Sequence, residues 1–266
     1  MSKTVKMNVD QDGIAVIEID VVDRPMNVIT ADFAEDFGNC VNEVIKDEKV
    51  IGAVVTSAKN DFMAGADLKS MLPELISLGD ASAMSERIIQ SHQLNRIMET
   101  SGKPFVAAIN GTALGGGLEI TLSCHYRIAV DRNDAVLGLP EVQVGLLPGG
   151  GGTQRLPRIV GQGRALELLI TGREFDSAEA LEMGLVQYVH ENDVVVQAIR
   201  LAKTISSHGP VAARYFKEAV NSGIQMSIRD GMVLEADLSV ILQSTSDRAE
   251  GINSFLNRRL PTYEGE

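Results

Sequence analysis

Eleven residues near the centre of the chain, 110–120, read NGTALGGGLEI. They follow an apolar, strand-like run, PFVAAI (104–109), and they lead into an apolar run typical of a buried helix. Glycines at Gly115 to Gly117 leave backbone N–H groups uncovered at the predicted helix start, where an anion is favoured. Glu119 is the one charged residue of the stretch, and its carboxyl group suits either the helix dipole or acid–base chemistry. The stretch therefore predicts a strand, a glycine turn and a helix, with a candidate site at the turn.

Two further glycine-rich stretches carry similar signals. FMAGADL (62–68) follows the strand-like run VIGAVVTS (50–57), and its small residues would let a ligand approach the backbone. GLPE (138–141) is followed by GLLPGGGGTQR (145–155), which places four glycines at a predicted helix start and Glu141 between apolar neighbours. Ordinary turns remain an alternative for both stretches.

The N-terminal half alternates strand-like and helix-like runs, which predicts an α/β fold with a parallel or mixed sheet. A strand is predicted over 13–20, and Thr30 is a candidate cap for a helix. A second helix is expected over 85–99. The apolar face of the first helix consists of Phe33, Phe37, Val41, Val44 and Ile45, and that of the second of Ile88, Ile89 and Met98.

The last hundred residues read as mostly helical. A capping box at Asp176 and Glu179 predicts one helix start. A soft boundary near residue 200 divides a core (1–200) from a helical region (201–266) within one functional domain. The predicted helices cover 163–170, 177–183, 194–206, 210–221, 226–243 and 247–258.

Composition excludes several classes of protein. The 266 residues include 36 acidic and 24 basic side chains, giving a net charge of −12, which argues against nucleic-acid partners and basic membrane-surface binding. The two cysteines fit a reducing, cytoplasmic setting, and no apolar run approaches a membrane span or a signal peptide. Rossmann, P-loop and nucleophile-elbow motifs are absent from the sequence. The spacing of the four histidines, His92, His125, His190 and His208, predicts no metal site.

The three glycine-rich stretches together resemble the signature regions of the crotonase (enoyl-CoA hydratase/isomerase) superfamily, in the family order. FMAGADLKSM, NGTALGGGLEI and LPEVQVGLLPGGGGTQRLPRIVG carry the resemblance, and EGINSFLNRRLP is similar to the family's C-terminal helix. The gap of 22 positions between Glu119 and Glu141 looks most like the hydratase part of multifunctional fatty-acid β-oxidation α subunits. The resemblance implies an α/β spiral of ββα repeats with a helical C-terminal region used in trimerisation. It also implies homotrimers or dimers of trimers, and it fits either a stand-alone relative or an excised domain.

The resemblance also implies a reaction, which is the hydration of trans-2-enoyl-CoA to 3-hydroxyacyl-CoA without a further cofactor. The backbone N–H groups of Ala66 and Gly116 would form an oxyanion hole, because charge develops on the thioester oxygen. Glu119 would hold and deprotonate water, and Glu141 would deliver a proton to C2, although the two could share these roles. Alternatives are a Δ3-Δ2 enoyl-CoA isomerase of the same fold and a non-catalytic subunit of a β-oxidation complex.

Binding of the acyl-CoA substrate is expected at small and polar residues beside the same loops. By the resemblance, the expected contacts are Ala64, Asp67, Leu68 and Lys69, with the Gly149 N–H helping to hold water. Four basic residues, Arg24, Lys59, Lys69 and Lys103, are candidates for the CoA phosphates. The apolar segment 70–84 is a candidate wall of the acyl tunnel.

Overall fold

The computed structural model describes residues 4–70 and 81–266, and a six-stranded sheet forms its centre. Its strands are β1 Val5–Val9, β2 Ile14–Ile19, β3 Gly52–Ser57, β4 Phe105–Ile109, β6 Tyr126–Val130 and β8 Tyr188–His190. They lie side by side in the order β1-β2-β3-β4-β6-β8. Strand β1 is antiparallel to β2, and each later neighbour pair is parallel. All five residues of β4 are buried, as its apolar composition predicts.

A second, two-stranded sheet organises the loops that follow the main strands. It pairs β5 (Ala113–Leu114) with β7 (Leu137–Gly138) in parallel, and Met63 forms an isolated bridge to Ala113. The N–H of Gly115 donates to the carbonyl of Gly138 at 2.9 Å. Strands this short carry little signal in the sequence, yet this sheet brings the three glycine-rich stretches together.

Helices cover the sheet and make up the C-terminal region. They are α1 Ala31–Lys46, α2 Ala81–Thr100, α3 Gly116–Leu122, α4 Gly152–Val160, α5 Gln162–Thr171, α6 Ser177–Glu182, α7 Val194–Ser206, α8 Pro210–Gly223, α9 Ile228–Leu242 and α10 Ser246–Leu256. Thr30 caps α1 by accepting from the N–H of Phe33, as predicted. Asp176 caps α6, but the Glu179 carboxylate pairs with Arg173. The reciprocal half of the predicted capping box is therefore replaced by an ion pair.

The two faces of the main sheet pack in different ways. Strand residues Ile14, Val54 and Val106 lie in a small apolar cluster with Ala198 and Ala202 of α7. The opposite face belongs to the larger core, where Phe33, Phe37, Val41 and Val44 of α1 are buried as predicted. The division expected near residue 200 stays a prediction, and α7 runs across it while packing on the sheet.

The apolar face expected for α2 is wrong. Met98 is fully buried, whereas Ile88 and Ile89 are 38% and 48% exposed. Ten residues separate Ile88 from Met98, which is about 2.8 helical turns, so these side chains point roughly 80° apart. Asn95 lies on the buried side of α2 with Met98. A search for apolar residues could not identify this polar side chain as buried.

Candidate active site

Glu119 lies in the first turn of α3 and is 3% exposed. Its Oε1 accepts two backbone hydrogen bonds, from the N–H of Gly150 at 2.8 Å and that of Gly152 at 2.7 Å. These donors come from the glycine loop 149–152, whose last residue begins α4. The second glycine-rich stretch therefore supplies the carboxylate, and the third supplies its hydrogen-bond donors.

Close backbone approach explains several of the glycines. A Cβ at Gly117 would lie 2.6 Å from the carbonyl oxygen of Met63. A Cβ at Gly150 would lie 2.7 Å from Oε2 of Glu119. Because real Cβ atoms do not reach such distances, a larger residue at Gly117 would push away the Met63 backbone, and one at Gly150 would displace the Glu119 side chain.

Glu141 lies in a 3₁₀ helix, Pro140–Val144, directly after β7. Its Oε2 is buried and has no hydrogen-bond partner within residues 4–70 and 81–266. Its Oε1 faces Gly115, where an added Cβ would stand 2.8 Å away. The two glutamates predicted as catalytic thus converge on the Gly115–Gly116 turn, and an unpaired buried oxygen there is available to a ligand.

The two carboxyl groups have different electrostatic environments. Burial raises the pKa of Glu141 to about 7, and the negative charge of Glu119 acts in the same direction. Burial also raises the pKa of Glu119, but the N–H groups of Gly152 and Gly150 oppose that rise. The Gly150 and Gly152 donors therefore stabilise the ionised form of Glu119, whereas burial favours the protonated form of Glu141.

Ala66 and Gly116 lie side by side with uncommitted N–H groups. The N–H of Ile29 donates to Gly65 O and that of Asp67 to Ile29 O, so the Ala66 N–H between them is left out of this pairing. Neither the Ala66 N–H nor the Gly116 N–H has an acceptor among the described residues. A Cβ at Gly65 would be 3.4 Å from the Gly116 nitrogen, which places the two loops in contact.

Asn27 fixes the loop that carries Ala66, and the sequence analysis did not identify it. Its Nδ2 donates to Ser57 Oγ at 2.8 Å and to Phe62 O at 3.1 Å. Its backbone carbonyl accepts from the N–H of Ala64. It is fully buried. A lone amide within the run VDRPMNVI was the available signal, since a buried amide needs several partners.

The candidate CoA contacts begin at the same loop. Asp67 is buried and pairs with Arg24, Nη2 to Oδ2 at 2.8 Å, and this hydrogen bond lowers the pKa of Asp67. Leu68 and Lys69 are exposed and Ala64 is half-buried. The side chain of Arg24, 47% exposed, reaches the same surface.

Two other basic candidates have structural partners. The Nζ of Lys103 donates to Val44 O and Asp47 O at the end of α1, both at 2.6 Å. The Nζ of Lys59 donates to Val21 O and Arg24 O, both at 2.5 Å. Both ammonium groups are used in holding loops, which leaves Arg24 and Lys69 as the better phosphate candidates. Most of the predicted tunnel segment 70–84, namely 71–80, lies outside the described residues.

Gly149 and His125 complete the comparison with the predictions. The Gly149 N–H has no acceptor among the described residues, and Ile88 packs beside this glycine. His125 is structural, because its Nδ1 accepts from the N–H of Phe105 and its Nε2 lies 3.1 Å from Glu99 O. Burial lowers its pKa to about 3, so the ring is neutral.

Within the described ranges no group of three or more His, Cys, Asp or Glu could hold a metal ion, and no helix could cross a membrane.

The chain matches a known family over nearly its whole length. The family described as Enoyl-CoA hydratase/isomerase matches residues 10–266. Among curated proteins, the fatty acid oxidation complex subunit alpha of Shewanella sp. (strain MR-4) is 45% identical over 206 residues, covering 77% of this chain and 28% of the relative. The same subunit of Shewanella oneidensis is 46% identical over 200 residues, 75% of this chain and 27% of the relative. The matched region thus spans little more than a quarter of these relatives.

Solved structures match over the whole chain. An enoyl-CoA hydratase from Bacillus anthracis is 34% identical with a TM-score of 0.90, covering 99% of this chain and 100% of that one. A structure from Geobacillus kaustophilus, also described as an enoyl-CoA hydratase, is 28% identical with a TM-score of 0.91, covering 100% and 98% of the two chains. The fold expected from the sequence motifs, an α/β crotonase fold with a helical C-terminal region, is confirmed.

Proposed function

The chain belongs to the enoyl-CoA hydratase/isomerase family, and we propose that it hydrates trans-2-enoyl-CoA thioesters to 3-hydroxyacyl-CoA. The observation that carries the proposal is the convergence of two unlike carboxyl groups on a turn with free N–H groups. Glu119 accepts two N–H donors, while Glu141 has a pKa raised to about 7 and an Oε2 without a partner in the described part of the chain. Such a pair suits a base and an acid acting on opposite ends of one double bond.

The thioester oxygen is held by the N–H groups of Ala66 and Gly116. Addition of water at C3 moves electrons through C2 to this oxygen, so an enolate forms. Two donors already aimed at the oxygen stabilise that charge without reorganisation, and removal of one such donor typically costs roughly 10²–10³ in rate.

The carboxyl groups divide the proton transfers. Glu119, ionised, removes a proton from water while the water oxygen bonds to C3, and the Gly149 N–H helps to orient that water. Glu141, protonated, gives its proton to C2 as the enolate collapses. Glu119 then carries a proton and Glu141 a charge, so one proton passes between them before the next turnover.

The remaining parts of the proposal concern the substrate and the assembly. Ala64, Asp67, Leu68 and Lys69 contact the CoA, with Arg24 and Lys69 nearest its phosphates. The fatty-acid oxidation subunits similar to this chain support a role in β-oxidation. The protein acts in the cytoplasm as a homotrimer or a dimer of trimers, and its reaction needs no cofactor beyond the CoA thioester.

One observation favours a second activity, Δ3-Δ2 enoyl-CoA isomerisation. That reaction needs a single carboxyl group that takes and returns a proton, and Glu141 has a pKa of about 7 and an oxygen with no partner among the described residues. Assays with 2-enoyl-CoAs of several chain lengths and with a 3-enoyl-CoA separate the two. We expect hydration to exceed isomerisation. Absence of turnover with every 2-enoyl-CoA would refute the hydratase and leave the isomerase or a non-catalytic subunit.

A further inference from the structure

One side of α2 runs along the glycine loop 149–152 that binds Glu119. Ile88 Cγ1 would lie 3.9 Å from a Cβ at Gly149. Seven residues later, Asn95 contacts Gly150, and four residues after that Glu99 binds Arg155 of α4. This spacing keeps the three α2 side chains near one helical face.

Asn95 makes the central contact of this face. It is 2% exposed, and its Nδ2 donates to the carbonyl of Gly150 at 2.9 Å. The same oxygen accepts from Nη1 of Arg155 at 2.8 Å. Arg155 is itself held by Glu99, through Nε to Oε1 at 2.5 Å. Two side chains therefore donate to one carbonyl, the buried Asn95 and an Arg155 that is itself held by Glu99.

The Gly150 carbonyl lies within the segment that supplies both N–H donors to Glu119. It belongs to the peptide that links Gly150 to Gly151, between the two N–H groups that reach Oε1 of Glu119. Gly151 has a φ of 103°, a conformation that glycine adopts readily. Four consecutive glycines have wide conformational freedom, so the two donors need an external anchor to stay aimed at one oxygen.

We propose that Asn95 is a positioning residue for Glu119, acting through the Gly150 carbonyl to hold both N–H donors on the carboxylate. The expected effect on kcat rests on the proposed hydratase function. The expected effect on the alignment of the two N–H donors rests on the geometry alone. Besides these donors, three titratable or charged side chains face Glu119: Arg155 of α4, His92 of α2 and Glu141 of the 3₁₀ helix.

The test compares Asn95→Ala and Asn95→Asp with Gln93→Ala, an exposed neighbour on α2 that serves as the control. With crotonyl-CoA, Asn95→Ala should lower kcat roughly 10- to 100-fold while KM changes less than threefold. Its acid limb of kcat/KM should move to higher pH, because a Glu119 without aligned donors holds its proton more tightly. Gln93→Ala should match the wild type.

Asn95→Asp separates positioning from packing, because it keeps the size of the side chain. A protonated Asp donates to the carbonyl as Asn does, whereas its carboxylate repels it. The Asn95→Asp variant should therefore lose activity as pH rises and its introduced carboxyl group ionises. The Asn95→Ala variant should instead lose activity as pH falls, because the pKa of Glu119 is higher in it. Identical pH profiles for the two variants, or a kcat within twofold of wild type in Asn95→Ala, would overturn the proposal.

A second readout does not depend on turnover. Carboxyl ¹³C resonances in the wild type and Asn95→Ala, with Glu119→Gln used for assignment, report the titration of Glu119 directly. We expect its midpoint to rise in Asn95→Ala, and an unchanged midpoint would overturn the positioning role even if the chain proved inactive. If Asn95→Ala does not fold, Arg155→Lys alters the other donor to the same carbonyl while keeping the positive charge that itself lowers the pKa of Glu119, and it must give the same direction of change.

Discussion

Replacement of Glu141 by Gln should stabilise the protein at alkaline pH more than at acidic pH. The pKa of Glu141 lies at about 7 in the fold against an ordinary 4.5, and about 1.4 kcal/mol per pKa unit gives an upper limit of about 3 kcal/mol. Because the side chain is only partly buried, solvent screening reduces the expected effect to about 1–2 kcal/mol. The stability that the bound proton contributes is complete below pH 4.5 and is lost as pH rises through about 7.

Gln cannot lose a proton, so the variant keeps this contribution at every pH. Thermal unfolding of wild type and Glu141→Gln at pH 5 and pH 8, at one protein concentration, measures the difference. Between the two pH values the variant should gain roughly 2–6 °C in Tm relative to wild type. Glu35→Gln, at an exposed position on α1, should show no such gain. A gain that is equal at both pH values, or larger at pH 5, would refute the electrostatic account of Glu141.

Three further predictions concern rate and packing. If Glu141 is the proton donor, kcat/KM should fall as pH rises above about 7, and a profile flat from pH 6 to 9 would contradict that role. Gly117→Ala should cost about 1–3 kcal/mol in urea unfolding, because its Cβ would stand 2.6 Å from a carbonyl oxygen of Met63. Its control is Gly163→Ala in α5, where an added Cβ would meet nothing within 4 Å; this variant should lose no stability and gain up to about 1 kcal/mol. Asn27→Ala should lower kcat more than tenfold by loosening the Ala66 loop, and wild-type kinetics would remove Asn27 from that role.

The sequence predicted the fold class because apolar periodicity and caps are local. Thr30 and the apolar face of α1 follow directly from spacing, and the buried strand β4 follows from composition. The motif resemblance added the crotonase architecture, which no local pattern contains. The short β5–β7 sheet was missed, because two-residue strands depend on contacts between distant loops.

The candidate site shows a similar division. The sequence pointed to Glu119 and Glu141 because charged residues stand out in apolar runs, and the structure brings both to one turn. It could not predict their different environments, since those depend on Gly150 and Gly152 N–H groups more than 30 positions away. Asn95 was missed for the same reason, and the lone amide at Asn27 gave only a weak signal, because the value of a buried amide depends on partners that are distant in the sequence.

Hydration of crotonyl-CoA by the wild type, Glu119→Gln and Glu141→Gln, followed through the absorbance of the conjugated thioester, tests the central claim most directly. We expect turnover by the wild type, a loss of roughly 10²-fold or more in kcat for each variant, and retained binding of a saturated acyl-CoA by calorimetry. Near wild-type kcat in either variant would remove that glutamate from the chemistry. An inactive wild type that still binds acyl-CoA would contradict the hydratase itself.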